Sequence, residues 1–422
     1  MKKKVLSILM ALVLITGIIS LAAVNSVALT CGDYEYTVEN GEATITKYNG
    51  SEQYLCIPSE FDEYPVTEVG YQAFYENSDI VFVGIPESIR NIGDEAFAAC
   101  LSLALVIIPN SDTEISENAF EYCNTPNFYA RYGSAAAEYA KNNGCYYQYI
   151  SNSPEGFLYT LNSTDNTATV NGKLFGYNPC EPVSFYGYNI SSVNVPSFVD
   201  SFNVSGIGDY AFRGRSWFGS ITIPYGVNSI GSYAFAGCGF EEFTIPDSVE
   251  IIRPHAFYNC ANLKSITIPH SVKEIQYDAF FYCPSLERVK LEEGVEELPT
   301  SASLFSECSS LKSVIIPRSV KTFGGDVFGS GNNSLVDILL YKDSSFDKFY
   351  KNNTAYKDKL RYFGDLNSDK EITREDYTDV ASYLSGAQSN WSETQSTVAD
   401  YNMDGAVDAF DLFEIDKAVN GI

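Results

Sequence analysis

Histidine, tryptophan and methionine are nearly absent from this 422-residue chain, which has two His, two Trp and three Met. His255 and His270 are the sole imidazoles, so histidine acid–base chemistry and multi-histidine metal centres have almost nothing to draw on. Both occupy positions that vary between the repeats described below, where Glu95, Tyr233 and Asp278 align with His255. That variation marks a surface position rather than a catalytic one. Positive charge is also scarce: 27 Lys plus Arg face 54 Asp plus Glu, a formal net charge of −27. Such a surface repels phosphate backbones and anionic lipid, which argues against nucleic acid and membrane surfaces and favours cations, basic partners or neutral ligands. No Cys-x-x-Cys pair, phosphate loop or nucleophile elbow occurs. With 45% hydrophobic and 19% charged residues the chain is built to fold. It is too long for one ordinary core, so it is either several domains or a repeat array.

Lys2, Lys3 and Lys4 precede an apolar run from Val5 to Val24, and Ser26-Val27-Ala28 places small residues where a signal peptidase cuts. Residues 1–28 read as a secretory signal peptide. Its removal takes three lysines and leaves a net charge of −30. No second long apolar run follows, so the expectation is an exported protein with no membrane span after cleavage. Export would ordinarily pair the ten cysteines as disulfides. Six of them instead sit three residues after a phenylalanine, Cys100, Cys123, Cys238, Cys260, Cys283 and Cys308 after Phe97, Phe120, Phe235, Phe257, Phe280 and Phe305. A residue type fixed at one repeat position is a packing choice, a small buried hydrophobe in a stacked column. A Cys31–Cys56 bridge remains open.

The spacing itself is the dominant signal. Ala-Phe pairs begin at Ala73, Ala96 and Ala119, then at Ala211, Ala234, Ala256 and Ala279, in steps of 22 or 23, and Leu304-Phe305 and Val327-Phe328 continue the series. Ile-Pro pairs precede most of them, from Ile85-Pro86 to Ile316-Pro317. In the clearest copy, Leu263, Ile266 and Ile268 predict a short strand over 265–268, Pro269 ends its ladder, Val272 and Ile275 turn inward, and Ala279, Phe280 and Cys283 fill the centre. One such coil cannot bury its own apolar stripe, but a parallel stack of coils can. Leu291-Glu292 replaces one Ile-Pro pair and extra residues precede Leu304, which predicts a bulge there.

The copies Ile92-Gly93-Asp94-Glu95-Ala96-Phe97-Ala98-Ala99-Cys100 and Ile230-Gly231-Ser232-Tyr233-Ala234-Phe235-Ala236-Gly237-Cys238 resemble the bacterial BspA-like leucine-rich repeats. The resemblance implies a curved solenoid of parallel strands with short helical or irregular convex segments. Residues 126–150 break the repeat, with a helix predicted from Ser134 to Lys141 and Gly144 as its stop. Residues 338–361 repeat the interruption with a helix from Ser344 to Lys351. Tyr36-Thr37-Val38 before Ala43-Thr44-Ile45 matches Tyr159-Thr160-Leu161 before Ala168-Thr169-Val170. The chain therefore divides into the signal peptide, a capped repeat block over 29–150, a second capped block over 151–361, and a C-terminal module over 362–422.

That module carries the one motif with defined chemistry. Asp365, Asn367, Asp369, Thr373 and Asp376 stand at positions 1, 3, 5, 9 and 12 of a loop in which Glu371 offers its backbone carbonyl at position 7. Thirty-five residues later Asp400, Asn402, Asp404, Ala406, Asp408 and Asp411 repeat the set, with Ala406 in the carbonyl place. This is the spacing of an EF-hand-type calcium loop, in which alternate oxygens converge on a hard cation, and it predicts two Ca2+ ions. Lys370 replaces the usual turn glycine, which Gly405 keeps, so the first loop is expected to be the strained one. At the same offset Val380 matches Ile415, Leu384 matches Val419 and Gly386 matches Gly421, so each loop leads into a helix.

Two loop-helix units without entering helices, each with Asp at position 12, resemble a type I dockerin. The resemblance implies a small all-α module with EF-hand-like calcium loops that binds a cohesin on a cellulosome scaffold. It also implies cohesin contacts at loop positions 10 and 11, here Arg374 and Glu375, then Ala409 and Phe410, and on the adjacent helix at Asp416 and Lys417. The two pairs differ in charge and size, and Phe410 is the stronger anchor candidate.

Three readings of the repeats compete. They bind a protein or cell-surface partner, the commonest use of a solenoid face. They bind plant polysaccharide through aromatics such as Tyr129, Tyr132, Tyr146, Tyr147, Tyr186, Tyr188 and Trp217, for which packing is the simpler account. Or they form a polysaccharide-degrading enzyme, for which carboxylates abound but no flanking signature occurs. The sequence favours a secreted, non-catalytic cellulosome component. Any link to polysaccharide catabolism then comes through its neighbours on the scaffold.

Overall fold

The computed structural model of the chain describes residues 28–151, 157–162, 166–173, 192–299, 303–324, 326–388 and 390–420. The predicted signal peptide apart from Ala28, together with Cys180, Tyr186 and Tyr188, lies outside the described residues. These residues form two compact units, one up to Gln148 and one from Tyr149.

Each unit winds in coils that contribute one strand to each of two ladders. In the first unit, the antiparallel strands Tyr34–Glu39 and Glu42–Tyr48 open a ladder that continues in parallel through Tyr64–Val69, Asn91–Ile92 and Glu114–Ile115. The second ladder runs Tyr54–Cys56, Phe82–Gly84, Leu105–Ile108 and Asn127–Arg131, all parallel. The second unit repeats the plan. Phe157–Asn162 and Thr167–Lys173 form the opening pair, followed by Phe202–Ile207, Ser229–Ile230, Ile251–Ile252 and Glu274–Ile275. Its other ladder holds Ser265–Ile268, Arg288–Leu291, Ser313–Ile315, Asp337–Leu340 and Leu360–Tyr362 in parallel register.

The clearest coil shows why. Ser265, Ile266, Thr267 and Ile268 alternate exposed and buried, and the strand stops where Pro269 removes its N–H. Leu263, Ile268, Val272, Ala279, Phe280 and Cys283 are all fully buried. Phe280 stacks on the rings one coil away on either side, 5.0 Å from Phe257 and 5.8 Å from Phe305. Phe74, Phe97 and Phe120 form the same column in the first unit at 4.6 and 5.1 Å. Beyond Glu274–Ile275 the first ladder thins to single bridges, Glu274 to Glu297 and Glu297 to Thr322. This is the region of the expected bulge, part of which (300–302) lies outside the described residues.

The cysteines do more than fill space. Each repeat Sγ lies against the carbonyl of the Phe in the preceding coil: Cys100 on Phe74, Cys238 on Phe212, Cys260 on Phe235 and Cys283 on Phe257, at 3.2 to 3.3 Å. Where the series reaches Asn332, its amide donates to the Phe305 carbonyl at 3.0 Å instead. A buried carbonyl left alone would be unfavourable, and a thiol is the smallest apolar group that can still donate to it. Cys31 is an unbridged thiol, so the Cys31–Cys56 pairing is not made.

Helices close both blocks. Helix α1, Ala135–Asn142, starts at Ser134, whose Oγ accepts from Ala137 N, and it buries Ala136, Ala137 and Ala140. Gly144 follows it at φ +68°. Helix α2, Ser345–Tyr350, is capped by Ser344 and buries Phe346 and Tyr350. The C-terminal module adds α3, Arg374–Leu384, α4, Glu393–Ala399, and α5, Ala409–Asn420. No helix among the described residues is long and apolar enough to cross a membrane.

Candidate metal centre

The two acidic loops fold alike. In the first, Asp365 is buried and accepts from Asp369 N at 3.1 Å and Lys370 N at 2.9 Å. In the second, Asp400 accepts from Gly405 N at 3.0 Å. Asn367 Oδ1 accepts from Asp369 N and Asn402 Oδ1 from Asp404 N, at 3.0 and 2.9 Å. Asp369 accepts from Glu371 N and Asp404 from Ala406 N, at 2.8 and 2.9 Å. These side chains therefore bond back to the backbone of their own loop, alike in both.

Position 12 serves the loop and the helix together. Asp376 is fully buried; Oδ1 accepts from Leu366 N and Oδ2 from Thr373 N, at 2.9 and 2.8 Å. Thr373 at position 9 is the N-cap of α3 and forms a capping box with Asp376. Asp411, also fully buried, accepts from Asn402 N and Asp408 N at 3.0 and 2.8 Å, and Asp408 accepts from Phe410 N at 2.7 Å. An acidic first turn suits the positive end of each helix, so part of the motif is helix-start chemistry.

The rest fits a cation. Asp400 Oδ1 is buried with no hydrogen-bond partner, which leaves a carboxylate oxygen of the loop unsatisfied. Burial pushes the carboxyls of Asp365, Asp400 and Asp411 above the ordinary range. Neighbouring carboxylates add to the shift, Asp376 and Asp369 on Asp365 and Asp411 and Asp404 on Asp400. A hard divalent ion would relieve both burdens, and oxygen-only ligands are what Ca2+ takes. At position 6, Lys370 adopts φ +72° where Gly405 adopts +94°, so the lysine is forced into glycine's conformation. The first loop carries three carboxylates at ligand positions and the second four.

Helix α3 packs on α5. Phe410 and Phe413 at the start of α5 are 71% and 57% exposed, an apolar pair that the module itself does not cover. Arg374 pairs with Asp416 at 2.6 Å, and Lys417 lies over Phe413 and pairs with Glu414. Glu375 and Ala409 are exposed. Among the sugar-stacking candidates, Tyr132 and Tyr146 are 50% and 56% exposed, whereas Tyr129, Tyr147 and Trp217 are half-buried. His255 stacks on Tyr233 at 4.5 Å and touches Tyr277 edge-on, a part of the repeat packing rather than a catalytic pair.

One feature escaped the repeat spacing. The module does not hang free of the repeats: Phe363, Val380, Val398, Ala399, Tyr401 and Ile415 share one apolar cluster with Leu339 and Tyr341 of the last coils. The signal was in the outward strand positions. Thr267 and Lys290 are followed at the same register by Ile315 and Leu339, apolar where a solvent-facing strand should stay polar.

Comparison with known proteins finds two kinds of module. The family model "BspA type Leucine rich repeat region" matches in six copies over residues 60–139, 180–302 and 228–358, and the model "Dockerin type I domain" matches residues 363–420. Solved structures similar to the chain include a leucine-rich cell surface protein from Faecalibacterium prausnitzii A2-165, 22% identical, covering 76% of this chain and 86% of its own, with a TM-score of 0.26. A leucine-rich repeat protein from Bacteroides ovatus is 20% identical over 81% of this chain and all of its own, with a TM-score of 0.33. The pneumococcal vaccine antigen PcpA is 16% identical over 80% and 97%, with a TM-score of 0.35. No curated protein matches the chain. Leucine-rich repeat solenoids and type I dockerins are non-catalytic modules, and a type I dockerin binds calcium and a cohesin. The repeat matches span more than half of the chain, so the protein belongs to the BspA-type leucine-rich repeat family and ends in a type I dockerin domain.

Proposed function

We propose that this chain is an exported, non-catalytic cellulosome component, held on its scaffold by calcium-dependent cohesin binding, whose repeat region binds a protein or cell-surface partner. The observation that carries the calcium reading is the buried, partnerless Oδ1 of Asp400, in a loop whose Asx hydrogen bonds the first loop repeats. Two ions are assigned. The first takes the side chains of Asp365, Asn367, Asp369, Thr373 and Asp376 with the Glu371 carbonyl. The second takes Asp400, Asn402, Asp404, Asp408 and Asp411 with the Ala406 carbonyl. Bound calcium supplies the positive charge that lets these carboxylates stay ionised together. The chain's own amides, from Leu366 N to Asp408 N, orient them.

Cohesin contact is assigned to Phe410 as the anchor, with Ala409, Arg374, Glu375, Asp416 and Lys417 around it; exposed aromatics beside charged rims are what such anchors look like. The domain limits follow as 1–28, 29–150, 151–361 and 362–422. Tyr132 and Tyr146, exposed in the first block's cap, support carbohydrate binding as the second reading for the repeats.

The deciding experiment immobilises a cohesin panel and measures binding of the full mature chain with calcium, with chelator, and as Phe410→Ala. The expected result is calcium-dependent capture weakened by roughly 30-fold or more in the variant, the loss of a hot-spot side chain. Capture that survives chelation would remove the calcium reading, and unchanged capture of Phe410→Ala would remove the anchor. Retention of the chain on plant polysaccharide, lost on Tyr132→Ala and Tyr146→Ala, would favour the second reading for the repeats.

A further inference from the structure

The contacts between the dockerin and the solenoid are unequal. The first loop packs Leu366 and Ile372 on the shared apolar cluster, but its polar contacts with solenoid residues lie at the surface: Glu371 pairs with Lys342, and Lys370 Nζ donates to the Lys357 carbonyl at 3.1 Å. Exposed pairs of this kind contribute little. The second loop is held by a buried polar contact. Tyr401, between Asp400 and Asn402, is 7% exposed, and its carbonyl accepts from Tyr341 Oη at 2.6 Å. Its ring meets Tyr341 edge-on at 5.4 Å, and the Arg318 guanidinium lies 4.0 Å from the Tyr341 ring and 4.8 Å from the Tyr401 ring. Two residues on, the Met403 carbonyl accepts from Lys290 Nζ at 3.3 Å.

The alternation matters. Asp400, Asn402 and Asp404 stand at ligand positions, and the residues between them give their carbonyls to the solenoid. Arg318 and Lys290 are cations beside a cation site, where bare charge would oppose ion binding. Their placement makes sense only if what they hold is worth more than their repulsion. A loop whose backbone is already fixed loses less entropy when it closes on an ion.

We propose that Tyr341 and Arg318, helped by Lys290, are positioning residues of the second calcium loop: the solenoid pre-forms that loop, so calcium binding there and docking of the dockerin on the solenoid strengthen each other. The inference rests on the calcium reading above. Linkage makes the coupling reciprocal, so calcium must also tighten the solenoid residues that touch the loop.

The test uses the full mature chain, titrated with calcium while hydrogen exchange is followed separately in peptides over 365–376, 400–411, 313–318 and 337–341. The variants Tyr341→Phe and Arg318→Lys keep both the ring and the net charge, so neither alters the electrostatic pull on the ion. The expected result is second-loop affinity weakened about 5-fold or more, at the low end of ordinary coupling, with the first loop unchanged, and calcium-induced protection at 313–318 and 337–341 in the unmodified chain. Equal weakening of both loops, no weakening of either, or calcium effects confined to 365–376 and 400–411 would overturn the proposal. If calcium alters neither loop in the unmodified chain, the calcium reading itself falls. Should one variant fail to fold, the other decides.

Discussion

Deleting one ring from the phenylalanine column tests the central claim about the fold. Phe257 is fully buried, stacked 5.4 Å from Phe235 and 5.0 Å from Phe280, with Phe243 edge-on at 4.9 Å. Its amide donates to the Ala279 carbonyl and its carbonyl accepts from Cys283, so the backbone around the ring is pinned to the next coil. The cavity left by Phe257→Ala cannot collapse without shifting three coils. The expected loss is about 3–5 kcal/mol, the range for fully enclosed aromatics. In a stack where each coil contacts only its neighbours, that loss should stay local. Native-state hydrogen exchange should show protection falling across residues 229–284 while the coils of the first unit keep theirs. Phe120 provides the internal comparison: it is 6% exposed and meets Phe128 edge-on rather than a further stacked ring. Phe120→Ala should therefore fall at or below the low end of that range. A Phe257→Ala loss under about 1 kcal/mol, or an equal loss of protection in both units, would refute the enclosed, nearest-neighbour column.

Two further outcomes follow from groups whose ionisation burial perturbs. Burial raises the Cys100 and Cys238 thiols to about 12, so iodoacetamide at neutral pH should leave them unlabelled in the folded chain and modify them only after denaturation, while partly buried Cys31 is labelled before them. The raised carboxyls of Asp365, Asp400 and Asp411 bind protons more tightly folded than unfolded. Without calcium, their contribution is therefore complete below the ordinary Asp value of about 3.9 and is lost as the pH rises through their raised range. The chelated dockerin should melt higher at mildly acidic pH than at pH 7, while with calcium the order reverses because protons displace the ion. Thermal melts at fixed ionic strength decide it, and a chelated dockerin equally stable at both pH values would contradict the crowding of those carboxyls.

The ladder was legible because its causes are local. The predicted strand over 265–268 matches Ser265–Ile268, since alternation and a terminating proline leave one register. Ser134 caps its helix as expected, and Ser344, expected as the first residue of the second helix, caps it in the same way, because a side-chain oxygen before an apolar helix has a backbone donor waiting. The left-handed residues of each coil were not legible. Glu95, Tyr233, His255 and Asp278 share φ between +52° and +56°, and Ala99, Asn259 and Tyr282 repeat it four residues later. Glycine stands at the second place in only some coils, as Gly214 and Gly237, and other residue types fill the rest; the backbone bonds between coils impose the conformation on whatever residue stands there. That explains why the residue type varies at the His255 position while the shape does not.

The dockerin's seat on the solenoid extends the same reasoning. A strand with one face in the core should show polar residues on the other, and Ser265, Thr267 and Arg288 obey. Ile315 and Leu339 break the rule at consecutive coils, and Leu339 is 5% exposed because the dockerin covers it. An apolar outward position in the final coils of a solenoid is thus a statement about the next domain. It predicts that the domain is packed rather than tethered, and that its loops feel the solenoid. The apolar pair Phe410 and Phe413 remains exposed in the same arrangement. The solenoid therefore covers one side of the dockerin and leaves that apolar pair uncovered, an arrangement in which a module is rigidly presented and keeps a surface for a partner.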